Sequence, residues 1–367
     1  MRGRPDLYIR YKDENAIFKN NFQKISFLFF IIGIFYVGII VDDYWILLLS
    51  SAIFISIATW GINIVSGYAG QISLAHGFFV GVGTYTAAII GGVATDRVIG
   101  LGLDMAVWLP LAGLVSALFG IAISPLAVRL KGLNLALVTI GIVYIGAYLF
   151  SKFKSITGGS GIGRKTAELI LFGINFEDGL YIGDYYLSRF KLVYFLGLII
   201  TIFMGLGMKN IARSKIGRAY ASIRDRDIAA EAIGINLSRY KTSAFALSSF
   251  YAGIAGALLF ASNGGVDVET FGLYYSITFV AILIIGGVGT VLGPLFGALF
   301  FAVLPGLIQL AVDNSEFIRS SIPLSVAEIE RMIFGLLIIG FLVFEPRGIW
   351  GIWFRLRNYF KAWPFSY

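Results

Sequence analysis

Residues Ile25–Val65 read ISFLFFIIGIFYVGIIVDDYWILLLSSAIFISIATWGINIV. Two apolar runs, Ile25–Val41 and Trp45–Val65, carry no charge, and only Asp42 and Asp43 are charged between them. A helix of about 20 residues, rising ~1.5 Å per residue, spans the ~30 Å hydrocarbon core of a bilayer. The pair of aspartates then turns the chain in water. The rest of the chain agrees: 58% of the 367 residues are hydrophobic and 14% charged, with a mean hydropathy of +0.84. That is too much apolar surface for a soluble globule of this length. A soluble enzyme and a disordered regulator are excluded, and with no cysteine so is a disulfide scaffold. His76 is the only histidine, so the chain has no usual ligand set for zinc, haem or an iron-sulfur cluster. The net charge of +8 does not form one stripe for nucleic acid. It gathers between apolar runs, as the positive-inside rule produces.

That rule sets the orientation. Residues 1–24 hold six Lys/Arg against three acids and are expected in the cytoplasm. No small-residue cleavage pattern follows the first run, so the segment is expected to stay attached. Beyond Ile25–Val41 and Trp45–Val65, crossings are expected at Gly67–Gly92, Ala106–Val128, Leu133–Phe150, Leu192–Met208, Thr242–Ser262 and Met332–Phe344. Two short crossings are expected within Tyr274–Val303, hinged at Gly286, Gly287, Gly289 and Gly293. Gly67–Gly92 is dense in glycine, which suits closely packed or interrupted helices lining a cavity. Residues 151–191 are too polar and too often broken by glycine to cross, and form an external loop in which Leu169–Ile174 suits the membrane interface. Residues 209–241 carry eight Lys/Arg against three acids and belong inside. The acid-rich stretch over 313–330 belongs outside, and the basic, tryptophan-bearing tail 345–367 reads as an amphipathic helix on the cytoplasmic surface. The fold class is an all-α integral membrane protein, a polytopic bundle of about ten transmembrane helices over 25–344 with both termini cytoplasmic.

Little in the chain carries chemistry. GGSGIGRKT, Gly158–Thr166, resembles a phosphate-binding loop but has Arg164 where that motif needs a glycine directly before the lysine. No catalytic signature, metal set or cofactor motif is present. The segment GYAGQISLAHGFFVGVGTYTAA sets uncharged polar groups beside small residues, which suits a solute that is held through dipoles. Tyr68, Gln71, Ser73, His76, Gly81 and Gly83 are the candidates for a translocation path. For His76 alone, a hydrogen-bonded place at a helix start weighs at least as much. Within Ser214–Gly256, a short charged helix is expected over Asp225–Ile233, closed by Gly234. It suits docking to another protein, against the plainer reading of a solvated basic loop.

The sequence DRDIAAEAIGINLSRYKTSAFALSSFYAGIAGALL, from Asp225 to Leu259, resembles the cytoplasmic-loop signature of the LivM-type permeases of ATP-binding-cassette importers for branched-chain amino acids. SGYAGQISLAHGFFVGVGTYTAA, RLKGLNLALVTIG, TGGSGIG, GGVGTVLGPLFGA and FEPRGIWGIW follow in that family's order. The resemblance implies a coupling role for Ala230, Glu231, Ala232 and Gly234, with Asp225, Arg226, Asn236 and Lys241 in the same signature and Arg224 opening the helix that is pushed. It implies a second, LivH-like permease, two cytoplasmic ATPase subunits that hold the ATP, an external solute-binding protein, and a place in the inner or plasma membrane. A urea or short-amide importer shares these motifs and is the alternative. A secondary transporter would need a mid-span acid or lysine for ion coupling, and a membrane enzyme would need paired acids or a catalytic cluster. Neither is seen in the runs. A passive channel leaves the charged loop unexplained.

Overall fold

Asp42 is extended and Asp43 opens the next helix, so the two aspartates turn the chain between the first two apolar runs. A computed structural model describes residues 21–314 and 325–362. Most of the expected cytoplasmic segment 1–24, the middle of the stretch 313–330 and the tail end 363–367 lie outside the described residues. The helices are α1 Asn21–Ile40, α2 Asp43–Ile62, α3 His76–Gly91, α4 Met105–Arg129, α5 Gly132–Lys152, the one-turn α6 Lys154–Thr157 and α7 Arg189–Arg213. They continue as α8 Lys215–Asp225, α9 Asp227–Ala232, α10 Leu237–Asn263, α11 Leu273–Gly286, α12 Gly293–Asp313, α13 Val326–Phe344 and α14 Gly348–Ala362. Ser325 and Glu328 form a reciprocal capping box at the start of α13.

Among the described residues, seven helices are long and apolar enough to cross a bilayer. An eighth is reached if α13 and α14, bent by 49° at their junction, form one span. The expected number was about ten, and the difference lies in α3 and α11. With 16 and 14 residues they reach about 24 and 21 Å, short of the ~30 Å core. Each is completed by non-helical chain, 69–75 before α3 and 287–292 after α11. Gly67–Gly92 is therefore an interrupted passage whose helix begins only at His76. The reason is local. Asn63–Tyr68 continues α2 as a π-helix, Ala69 N–H bonds the Ile64 carbonyl, and Gly70 turns left-handed at φ +66°, which ends helical propagation.

The region 151–191 does not cross. It carries β1 Arg164–Lys165, paired antiparallel with β6 Gly265–Val266, and the hairpins β2 Ile170–Leu171 with β3 Ile174–Asn175 and β4 Leu180–Ile182 with β5 Tyr185–Leu187. Leu169–Ile174 folds into the β2–β3 turn with Leu169 buried. Its backbone is satisfied by hairpin bonds.

The core forms around α10, which packs on α2, α3 and α4. A Cβ at Gly83 would overlap the Gly253 backbone and one at Gly256 the Val80 carbonyl, so Gly83 and Gly256 let α3 and α10 touch main chain to main chain. Buried hydroxyls fold back onto main chain: Ser50 donates to Ile46, Thr59 to Ile55 and Ser249 to Phe245, while Ser116 reaches across to Phe79. In an apolar surrounding this satisfies those four hydroxyl donors.

One end of the bundle is closed by the hairpin region. Arg164, 6% exposed, donates to the carbonyls of Ala88 (2.6 Å), Ile156 (2.6 Å), Ile99 (3.0 Å) and Lys165 (3.2 Å). Burial pulls its pKa below the ordinary guanidinium value. The residue that spoils the phosphate-loop motif thus ties the loop to the end of α3.

Candidate functional site

The opposite end gathers the junctions 129–132, 224–227 and 287–292 around the break at 67–75. The π-helical turn ends at Tyr68, so Gly67 is among its last residues, whose carbonyls have no donor further along the same helix. Arg224 at the end of α8 donates to it through Nη1 at 3.1 Å. Close approach is required here. A Cβ on Gly70 would lie 2.6 Å from the Arg224 side chain. On the other side of the break, Asn63 donates to the Thr290 carbonyl at 2.7 Å and accepts from Gly289 N–H at 2.8 Å. Trp60 Nε1 donates to the Val291 carbonyl at 2.6 Å. The two interruptions of the bundle are thus pinned to each other.

The expected helix over Asp225–Ile233 is divided. Arg226 is extended (φ −157°, ψ 104°), so α8 runs through Asp225 and α9 holds only Asp227–Ala232. The extended joint breaks the helical ladder and lets α9 leave at an angle. Gly234 closes it as expected, left-handed at φ +89° and donating to the Glu231 carbonyl at 2.9 Å. A Cβ there would meet nothing within 4 Å, so Gly234→Ala is expected to cost about 1–2 kcal/mol of backbone strain alone. Faster hydrogen exchange across 227–233 would register it, and unchanged exchange would refute it.

Only Ala230 of α9 is buried. Ile228 (76% exposed), Ile233 (75%) and the exposed Ala229, Glu231 and Ala232 form an apolar face with one acid. Asp227 ion-pairs with Lys131 at 2.5 Å, and the hydrogen bond from Lys131 holds its carboxyl below the usual carboxylate range. Asn236 Oδ1 caps α10 by accepting from Arg239 N–H at 3.0 Å. Asp225 is exposed and paired with the Arg224 Nε at 3.2 Å. Lys241, in the first turn or so of α10, is 4% exposed. A cavity of about 200 Å³ lies between these elements, walled by Gln71, Lys131, Arg224, Asp225, Arg226, Asp227 and Lys241 with Leu130, Leu135 and Ile223.

The residues expected along a path fall into two groups. Tyr68, Gln71, Ser73 and His76 lie on the break and the start of α3. Gln71 is 5% exposed with neither side-chain amide atom partnered. Ser73 Oγ accepts from Ala75 N–H at 3.4 Å. The His76 ring meets the edge of Phe279 on α11, 5.2 Å between centroids, its Nε2 unpartnered. Gly81 and Gly83 stand deeper in α3, where they serve packing: Gly81 faces Phe150 and Phe271, Gly83 faces Gly253. Sequence reasoning missed the Lys131–Asp227 pair as site residues and missed Asn63, Trp60 and Gly67. Lys131 sits in the quoted RLKGLN stretch and Asp227 in the loop signature, but only the fold places them together.

The family model for the permease component of branched-chain amino acid transport systems matches residues 44–342. The permease protein LivM of the high-affinity branched-chain amino acid transport system of Salmonella typhimurium is 29% identical over 303 residues, 79% of this chain and 66% of that protein. LivM of Escherichia coli has the same identity and coverage. BraD, the corresponding system's permease protein from Pseudomonas aeruginosa, is 26% identical over 301 residues, 79% of this chain and 89% of its own length. The matched part thus spans just under two thirds of the LivM relatives. No solved structure matches the chain. From the match over 44–342, which takes in α2 through most of α13, the chain belongs to the family of permease components of branched-chain amino acid transport systems.

Proposed function

We propose that this chain is the membrane permease subunit of an ATP-driven importer of branched-chain amino acids in the inner or plasma membrane. It works with a LivH-like second permease, two cytoplasmic ATPase subunits that bind the ATP, and an external solute-binding protein. One observation carries the reading. α9 presents Ile228, Ile233 and Glu231 to solvent on a short arm, and the arm is joined through Arg224 to the Gly67 carbonyl at the break before α3. A partner that closes on ATP binding and pushes α9 therefore moves the interrupted passage itself.

In this orientation the α8–α9 end is cytoplasmic, the hairpin end external, and the ten membrane-depth segments bring both termini inside. Solute passes Tyr68, Gln71, Ser73 and His76, while Gly81 and Gly83 let the walling helices close up. The described spans hold few charges to compensate both ends of a zwitterion, so passage is transient and selectivity rests mainly with the binding protein.

The test is uptake of labelled leucine, and separately of urea, into proteoliposomes carrying this chain with the second permease, ATPases and binding protein. Leucine accumulation that requires ATP and is lost when this chain is omitted supports the reading. Urea accumulation alone moves the substrate, and uptake without ATPases overturns the mechanism. In the same vesicles Glu231→Lys, at an exposed position, is expected to lower ATP-driven uptake at least about tenfold, the factor that ~1.4 kcal/mol of docking energy represents. Normal uptake in that variant would remove Glu231 from the docking face.

A further inference from the structure

The cavity between the break at 67–75 and the start of α10 has a charge imbalance that the coupling role does not use. Two carboxylates border it, and both are engaged: Asp225 with Arg224, and Asp227 with Lys131. Arg226 and Lys241 border it as well, and among the described residues neither has an ion-pair partner. Lys241 is 4% exposed as a residue and turns to this cavity, where the charge of Asp227 attracts its ammonium and that of Lys131 repels it. Gln71 adds a buried amide with both atoms unpartnered. A buried cation and a buried amide without partners are costly arrangements unless something meets them.

We infer that this cavity is a binding site for a small carboxylate with a short apolar tail. Lys241 pairs with the carboxylate, Arg226 adds long-range attraction, and Leu130, Leu135 and Ile223 offer the tail an apolar wall. The volume of about 200 Å³ leaves room for a small acid. Lys131 and Arg224 are already committed, so Lys241 decides the sign of the ligand. Facing the cytoplasm rests on the function proposed above, and on that reading the occupant is an amino acid delivered by the transporter or the 2-oxo acid derived from it. An occupant wedged between the α8–α9 arm and the break holds the Arg224 joint in one position, so a filled site slows further import.

The experiment is titration calorimetry on the full chain in lipid nanodiscs, without ATP or partners, using leucine, 4-methyl-2-oxopentanoate, 3-methylbutylamine and orthophosphate. Both acids, or either one, are expected to bind, and their ranking identifies the natural source. Lys241→Met is expected to weaken acid binding at least tenfold, whereas Lys154→Met at the other end of the bundle leaves it unchanged. Amine labelling read by mass spectrometry gives a second readout in the unaltered chain: the acids should protect Lys241 and not Lys154. Equal binding of the amine, preference for orthophosphate, no binding of either acid, or full acid binding with Lys241→Met overturns the inference. Because no transport is read, each of those results leaves the uptake experiment to stand or fall by itself.

Discussion

Arg164→Leu is expected to lower folding stability by about 3 kcal/mol and to open the segment 153–188 to protease. The guanidinium serves carbonyls from the end of α3, the following loop and α6, and each carbonyl left without a donor in a buried place costs about 1–3 kcal/mol. Leucine also removes a desolvated charge, which offsets part of the loss. Arg164→Lys is not a rescue, since an ammonium cannot fan across carbonyls that a planar guanidinium reaches at once. Thermal unfolding in detergent and limited proteolysis read the effect. An unchanged melting temperature together with an intact loop would show that those carbonyls find other donors.

Arg224→Met is expected to leave the chain in the membrane at normal levels and to cut ATP-driven uptake by roughly 10- to 100-fold, with ATP hydrolysis continuing. A hydrogen bond from a charged donor contributes about 1.5–3 kcal/mol, and ~1.4 kcal/mol is a factor of ten. The side chain makes one hydrogen bond that links the loop to the interrupted passage, to the Gly67 carbonyl. Its other partner, Asp225, is its exposed neighbour in sequence, and such a pair contributes little. Uptake that keeps pace with hydrolysis in this variant would mean that force enters the bundle elsewhere, with the Lys131–Asp227 pair as the next joint to break.

The long helices were legible because a bilayer imposes one strong rule: apolar runs of the right length, with charge at the ends. α1, α2, α4, α5, α7 and α10 follow it closely. The glycine hinge at 286–293 also read correctly, since α11 ends at Gly286 and α12 begins at Gly293. What escaped was bonding pattern. Ser66–Ala75 is as apolar as many helical stretches, and hydropathy does not distinguish an α-helix from a π-turn followed by extended chain. The same limit applies to Arg226, whose extended backbone split one expected helix into two. At the site, the resemblance drew attention to the charged loop, but Asn63 and Trp60 lie inside an apolar run. Their partners are main-chain groups more than 220 positions away, and nothing local announces such a pairing.

The joint at Gly67 has an evolutionary side. Arg224 grips a carbonyl oxygen, and every amino acid supplies one, so only the arginine end of this contact is written in side-chain identity. The residues opposite it are constrained by space and not by pairing: Gly67 and Gly70 leave no room for a Cβ, yet offer the arginine no side chain to change with it. Comparing related chains for paired changes would therefore be expected to find no co-varying pair at this contact. The same holds for Asn63 and Trp60, which also grip main chain. A transmission line built this way confines variation to positions of the passage away from the joint, where solute preference can change, while the handle that drives it stays fixed.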